Sequence, residues 1–163
     1  LGEATANASL WGMCTTMTAA VTQGSDLIVG HIGDSRAYLL HRGKLVQLTH
    51  DHTVGANLVL DGTHNPTDPL VLELRGLLVQ ALGSRESEFS PEVADYQLGD
   101  SDQLLLCTDG LTDMLDDVDI ELIMNTATSA KSACRNLVDA ALQNGGRDNV
   151  TVIVARYSFP PGR

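Results

Sequence analysis

Three aspartates adjoin apolar runs in this 163-residue sequence: Asp34 follows LIVGHIG, Asp109 follows LLLCT, and Asp148 precedes VTVIVA. Runs of that kind read as buried strands, and strand ends in stacked sheets can carry distant side chains to one place. Clustered carboxylates repel one another unless they are protonated or bridged by cations. Oxygen donors with no paired His or Cys favour Mg²⁺ or Mn²⁺ over Zn²⁺ or Cu²⁺. The pattern points to a divalent-cation site. The bland alternative at Asp109-Gly110 is a plain turn; the functional one is that Gly110 lets the backbone approach closely.

Other polar residues are read against the same two possibilities. Asp113, four residues beyond Asp109, either touches a metal-bound water or caps a turn. Asn149 orients Asp148 through a hydrogen bond. Arg36 pairs with a nearby carboxylate or carbonyls and holds its loop. His31, His50 and His52 stay outside the catalytic set, because a His near a strand end is more often packed or hydrogen bonded than catalytic. Cys107, inside an apolar run, reads as a buried thiol. Thr15 and Thr16 read as strand residues, Trp11 as a packing anchor, and Asp61 and Asp68 as solvated loop acids with a third metal site as their alternative.

The elements that must position the aspartates alternate with turn signals. Residues 12–33, broken by Gln23-Gly24-Ser25-Asp26, have the rhythm of a hairpin, and residues 36–49, broken at Arg42-Gly43-Lys44, read as another. Residues 53–90 loosen into a flap, with a short helix expected over 54–60 and helix or irregular structure over 70–82. Residues 91–97 and 103–107 are predicted to pair as a hairpin through Gly99-Asp100. A short helical piece is expected near 111–115, an ambiguous segment over 118–125, a helix over 129–142 stopped by Gly145-Gly146, and a β-branched strand after Asn149. Residues 1–10 read as the end of a helix.

With 43% hydrophobic residues the chain can bury a core, and one globular unit is expected. A net charge of -11 opposes attraction to nucleic acid or anionic lipid. Three scattered cysteines read as free thiols in a reducing compartment, so the cytoplasm is the expected location. No apolar run reaches the length of a membrane span, and the N-terminus carries no signal-peptide pattern. The sequence starts at Leu1, and the expectation is a piece of a longer product.

Four motifs occur in order: GHIGDSRAYLL over 30–40, LTHDHT over 48–53, LLLCTDGLTD over 104–113 and GGRDNVTVIVA over 145–155. Together they resemble the metal-dependent Ser/Thr protein phosphatases of type 2C, particularly the bacterial branch. Met13-Cys14-Thr15-Thr16 is similar to that family's Met-Gly-Thr-Thr signature, with Cys in place of Gly. The resemblance implies an α+β fold, a four-layer αββα sandwich of two antiparallel sheets flanked by helices. It implies two Mg²⁺ or Mn²⁺ ions, or three: Asp109 and Asp148 match ligands of the catalytic pair, and Asp34 matches a ligand of a third, weaker ion. A water activated by the metal pair then attacks phosphorus in line, with no covalent phosphoenzyme. The implied substrate is a phosphorylated protein, opposed by a Ser/Thr kinase.

The family's Asp-Gly-x-Gly-Gly segment and upstream phosphate-contacting Arg have no match. Residues 1–158 are therefore expected to be an N-terminally truncated domain followed by a tail over 159–163. By itself the chain is expected to bind metal weakly and turn over little substrate. The alternative is a non-catalytic pseudophosphatase module that binds a phosphoprotein or regulatory partner; a phosphatase acting on an anti-sigma-type antagonist would share the chemistry.

Overall fold

The computed structural model describes residues 12–83 and 90–159. The expected helix end over 1–10, and Trp11, lie outside them. Two antiparallel sheets face each other. The first has the order β1-β2-β5, with β1 spanning Met17–Gln23, β2 Asp26–Ile32 and β5 Glu92–Gln97. The second has the order β4-β3-β6-β7, with β3 spanning Arg36–His41, β4 Lys44–Gln47, β6 Gln103–Cys107 and β7 Val152–Arg156.

Alternation along β3 and β6 builds two cores at once. Ala37, Leu39 and Leu104 point between the sheets and meet Leu27 and Val29 of β2. Tyr38, Leu40, Leu105 and Cys107 point the other way, against two helices, α4 (Asp117–Thr126) and α5 (Ala130–Gln143). Ile120 and Met124 of α4 and Leu137 and Ala141 of α5 are wholly buried there. The continuous Leu run of β6 thus has the both-faces burial its composition predicts, and the α+β sandwich implied by the resemblance is present. Leu105 is 0% exposed. Leu105→Ala is expected to lower unfolding free energy by about 2–5 kcal/mol in a urea titration; a loss well under that range would mean the site collapses to fill the cavity.

Local sequence chemistry sets most ends. The β3–β4 hairpin turns on Arg42 (φ 50°) and Gly43 (φ 79°), the left-handed pair that a two-residue turn matching strand twist requires. The segment over 118–125 resolves as helix because Asp116 caps it, accepting from Asp119 N at 2.8 Å. Ser129 and Ser132 close a capping box at the start of α5. In the flap, α1 (Val54–Leu60) begins at Thr53 and α2 (Pro69–Leu74) at Asp68, whose carboxylate accepts from Leu70 N at 3.1 Å.

The predicted pairing of β5 with β6 is not formed. β5 pairs with β2 in the first sheet, and β6 pairs with β3 and β7 in the second. The turn between them is a crossing from sheet to sheet. It is fixed by buried Asp102, which accepts from Gly99 N at 2.7 Å and lies 2.8 Å from His41 Nδ1, and by Ser101 at φ 67°. Alternation along each strand identifies its inner face but carries no information about its partner. At the other end, Phe159, where a tail was expected to begin, packs against the inter-sheet core.

Candidate functional site

Three short connections at one end of the sandwich carry the acidic residues, and the first of them passes from one sheet to the other. Gly33, Asp34 and Ser35 cross from β2 to β3; Asp109 opens α3 (Asp109–Thr112) directly after β6; Asp148 and Asn149 lead into β7. Asp34, Asp109 and Asp113 line one cavity of about 40 Å³, together with Arg36, Asp51 and Arg75. That is more than the ~10–15 Å³ a single water needs. Asp148 lies outside this lining but close enough to Asp109 for its charge to act on it.

The electrostatics of the cluster are those of crowded like charges. Burial, then repulsion by Asp109, pushes the Asp34 carboxyl up to about 6. Burial also raises Asp109 above the usual carboxylate range, with Asp148 and Asp113 adding to the effect against the Gly110 N–H bond. The folded-state value of Asp34 exceeds its ordinary value of 3.8, so the folded chain binds more protons than the unfolded one between about 4 and 6. Metal-free protein is therefore expected to lose stability as pH rises through that window. Asp34→Asn should flatten the slope in chelator-treated urea titrations, and an unchanged slope would assign it to other groups.

The donor set fits a hard divalent cation. Every titratable acceptor turned to the cavity is a carboxylate, no His or Cys lines it, and a cation would relieve the repulsion that raises Asp34 and Asp109. Gly110 packs so closely that a Cβ there would lie 2.3 Å from Asn149 O, which ties the Asp109 and Asp148 connections together. Asp148 Oδ1 accepts from Asn149 N at 2.7 Å, so it is the backbone of Asn149 that makes this contact.

Arg36 grips Asp51 with two bonds of 2.8 and 2.7 Å and donates to Tyr38 Oη at 2.9 Å. Burial opposes its charge, but the Asp51 bonds more than offset this and hold its pKa above the ordinary value. Arg36 is thus a holder of its loop, as the sequence predicts. Two charged residues of the cavity were not singled out from sequence, Asp51 and Arg75. Arg75, at the end of α2, lies 3.2 Å from Asp113 and pins the flap to the acidic cluster. Asp51 sits inside LTHDHT, yet nothing in the chain before folding marks it as the partner of a residue fifteen positions earlier. A larger cavity of about 490 Å³ opens beside the site under α1 and α2 and shares Arg36, Asp51 and Arg75 with it.

The remaining candidates lie off the cluster. Burial pushes the Cys107 thiol up to about 12, which makes it a poor nucleophile. Asp61 ends α1, and Asp68 is occupied at the start of α2. Thr15 bridges to Leu82, and Thr16 Oγ1 lies 3.0 Å from Ser35 Oγ. Burial holds His31 and His52 below the usual imidazole value.

Two family profiles match the chain: stage II sporulation protein E over residues 36–158, and protein phosphatase 2C over residues 3–57. The serine/threonine protein phosphatase PstP of Mycobacterium tuberculosis is 42% identical over 146 residues, covering 90% of this chain and 28% of that protein. The serine/threonine phosphatase stp of Listeria welshimeri is 35% identical over 154 residues, covering 93% of this chain and 60% of that protein. A crystal structure of the catalytic domain of PstP in complex with two manganese ions superposes with a TM-score of 0.84 at 37% identity, covering 97% of this chain and 65% of that one. The chain spans less than two thirds of the length of each of these relatives. Among the described residues, no helix is long and apolar enough to cross a membrane.

Proposed function

The chain belongs to the bacterial branch of the type 2C protein phosphatase family, and from that membership we propose that the protein hydrolyses phosphoserine and phosphothreonine esters of proteins, using Mg²⁺ or Mn²⁺. The observation that carries the reading is the convergence of Asp34, Asp109 and Asp148 at one end of the sandwich, with Asp34 raised by burial and then by Asp109, and Asp109 raised by burial and then by Asp148 and Asp113. Asp109 and Asp148 would hold the catalytic cation pair and Asp34 a further ion. Bound there, the cations supply Lewis acidity and neutralise charge on the phosphoryl oxygens.

The chain's own residues supply position. Gly110 keeps the Asp109 and Asp148 connections in register. The Arg36–Asp51 pair stiffens the wall between the cluster and the larger cavity. Arg75 closes the flap onto Asp113, so substrate choice is exercised where the flap meets the cluster. Free Cys14, Cys107 and Cys134 support a reducing cytoplasmic setting; a phosphoprotein substrate implies, separately, a Ser/Thr kinase as the opposing enzyme.

The test is Mn²⁺-dependent hydrolysis of p-nitrophenyl phosphate and of a phosphothreonine peptide by the full-length gene product. Turnover that needs the ion and is abolished by chelator is expected. A folded, Mn²⁺-loaded protein without turnover would move the assignment to a phosphoprotein-binding module.

A further inference from the structure

Asp34 lies on a crossing between sheets, where no strand pairing fixes its backbone. What holds it is Gly33, and what holds Gly33 is His52. The backbone N–H of His52 donates to Gly33 O at 2.7 Å, and Gly33 N–H donates back to the His52 ring at Nδ1, 3.2 Å away. Gly33 has φ 111°, and a Cβ on it would lie 2.3 Å from Thr16 Cγ2. The turn is therefore gripped from one side by His52 and walled by Thr16 on the other. Ser35, after Asp34, is held in turn by Thr18, whose hydroxyl donates to Ser35 O at 2.8 Å.

His52 is itself part of a cluster. His31, His52 and Glu92 bring three ligand-type atoms within 4.8 Å of one another, which by composition resembles a transition-metal site. Hydrogen-bond direction argues against that use. The amide of Gly33 can only donate, so His52 Nδ1 presents its lone pair there and the neutral ring carries its proton on Nε2. A cation at Nε2 would need that proton removed, and one at Nδ1 would have to displace Gly33. Glu92 is engaged as well, accepting from His50 N at 3.0 Å with Oε2 while Oε1 lies 2.9 Å from His50 Nδ1. His31 Nε2 lies 3.1 Å from His50 O. The cluster thus anchors the segment from His50 to His52 onto the first sheet, and His52 passes that anchorage to Gly33.

We propose that His52 is a positioning residue for Asp34: its backbone N–H and ring Nδ1 grip Gly33 at both its carbonyl and its amide and so fix where the Asp34 carboxylate is presented to a divalent cation. The proposal rests on the metal-site reading above. It assigns a role in that reading to the second His of LTHDHT, the motif that also places Asp51.

His52→Leu removes the ring acceptor, whereas His52→Asn, of similar size, offers a side-chain oxygen in its place. Mn²⁺ binding is followed by electron paramagnetic resonance of the free ion in the full-length protein, without substrate, with Asp34→Asn identifying the sites that depend on Asp34. The Leu variant is expected to weaken the Asp34-dependent class about tenfold or more, and the Asn variant to recover most of that loss. Unchanged affinity in the Leu variant, or equal loss in both variants with native melting, overturns the proposal while leaving the metal-site reading intact. Wild-type protein that binds no Mn²⁺ overturns that reading and the proposal with it. If the Leu variant does not fold, the wild-type ring decides: a proton on His52 Nδ1 in nitrogen-15 spectra overturns the proposal, and a proton on Nε2 with an Asn variant of native affinity supports it.

Discussion

Asp109→Asn is expected to reduce Mn²⁺-dependent hydrolysis by the full-length protein on the order of a thousandfold while leaving the fold intact. The side chain sits at the first turn of α3, with Oδ1 accepting from Gly110 N at 2.9 Å, and an Asn carbonyl can make the same bond. On the proposed reading, what the substitution removes is the negative charge that would hold the cations which neutralise the phosphoryl oxygens. Several kcal/mol of transition-state stabilisation depend on such a site, and each 1.36 kcal/mol is about tenfold in rate. A second consequence separates this effect from misfolding. Asp109 is the largest charge acting on Asp34, so its neutralisation should bring the Asp34 pKa down from about 6 and raise the melting temperature of the chelator-treated protein. An inactive variant that is also less stable without metal would contradict this account, because lost repulsion cannot destabilise.

Gly110→Ala is expected to be the most damaging single-methyl change near the site. The new Cβ would lie 2.3 Å from Asn149 O and 2.9 Å from its carbonyl carbon, both backbone atoms with no rotamer to swing aside. Either α3 lifts away from the segment entering β7, or that segment shifts, and in both cases Asp109 and Asp148 lose their mutual position. A stability loss of about 3 kcal/mol or more is expected in urea unfolding, together with weakened Mn²⁺ binding. Gly30→Ala in β2 is the control, since a Cβ there meets nothing within 4 Å. Native stability and native Mn²⁺ affinity in the Gly110 variant would show that the two connections are not coupled through this contact.

The same contact explains why the Asp-Gly pair is more than a turn. A turn needs Gly for its backbone angle, but Gly110 is not among the residues with positive φ. It is small because another chain segment passes within contact of it. Sequence marks the residue and leaves the reason open; packing supplies it.

What the sequence by itself determined is whatever depends on neighbours along the chain. The flap helix α1, the cap at Ser129, the turn at Arg42-Gly43, the two-sided burial of the Leu run and the three aspartates at strand ends follow from propensity, capping and period, which are local. The four motifs carried the family, because residue order records a shared fold even where no single motif would. Tertiary structure alone decided what depends on partners far apart in the chain. It paired β5 with β2 and not β6, since alternation specifies an inner face but not a neighbour. It brought Asp51 to Arg36 and Arg75 to Asp113, because an ion pair is chosen by proximity that the chain acquires only on folding. It also turned His52 from a residue set aside into the grip on Gly33, since a hydrogen bond to a backbone amide leaves no trace in residue type.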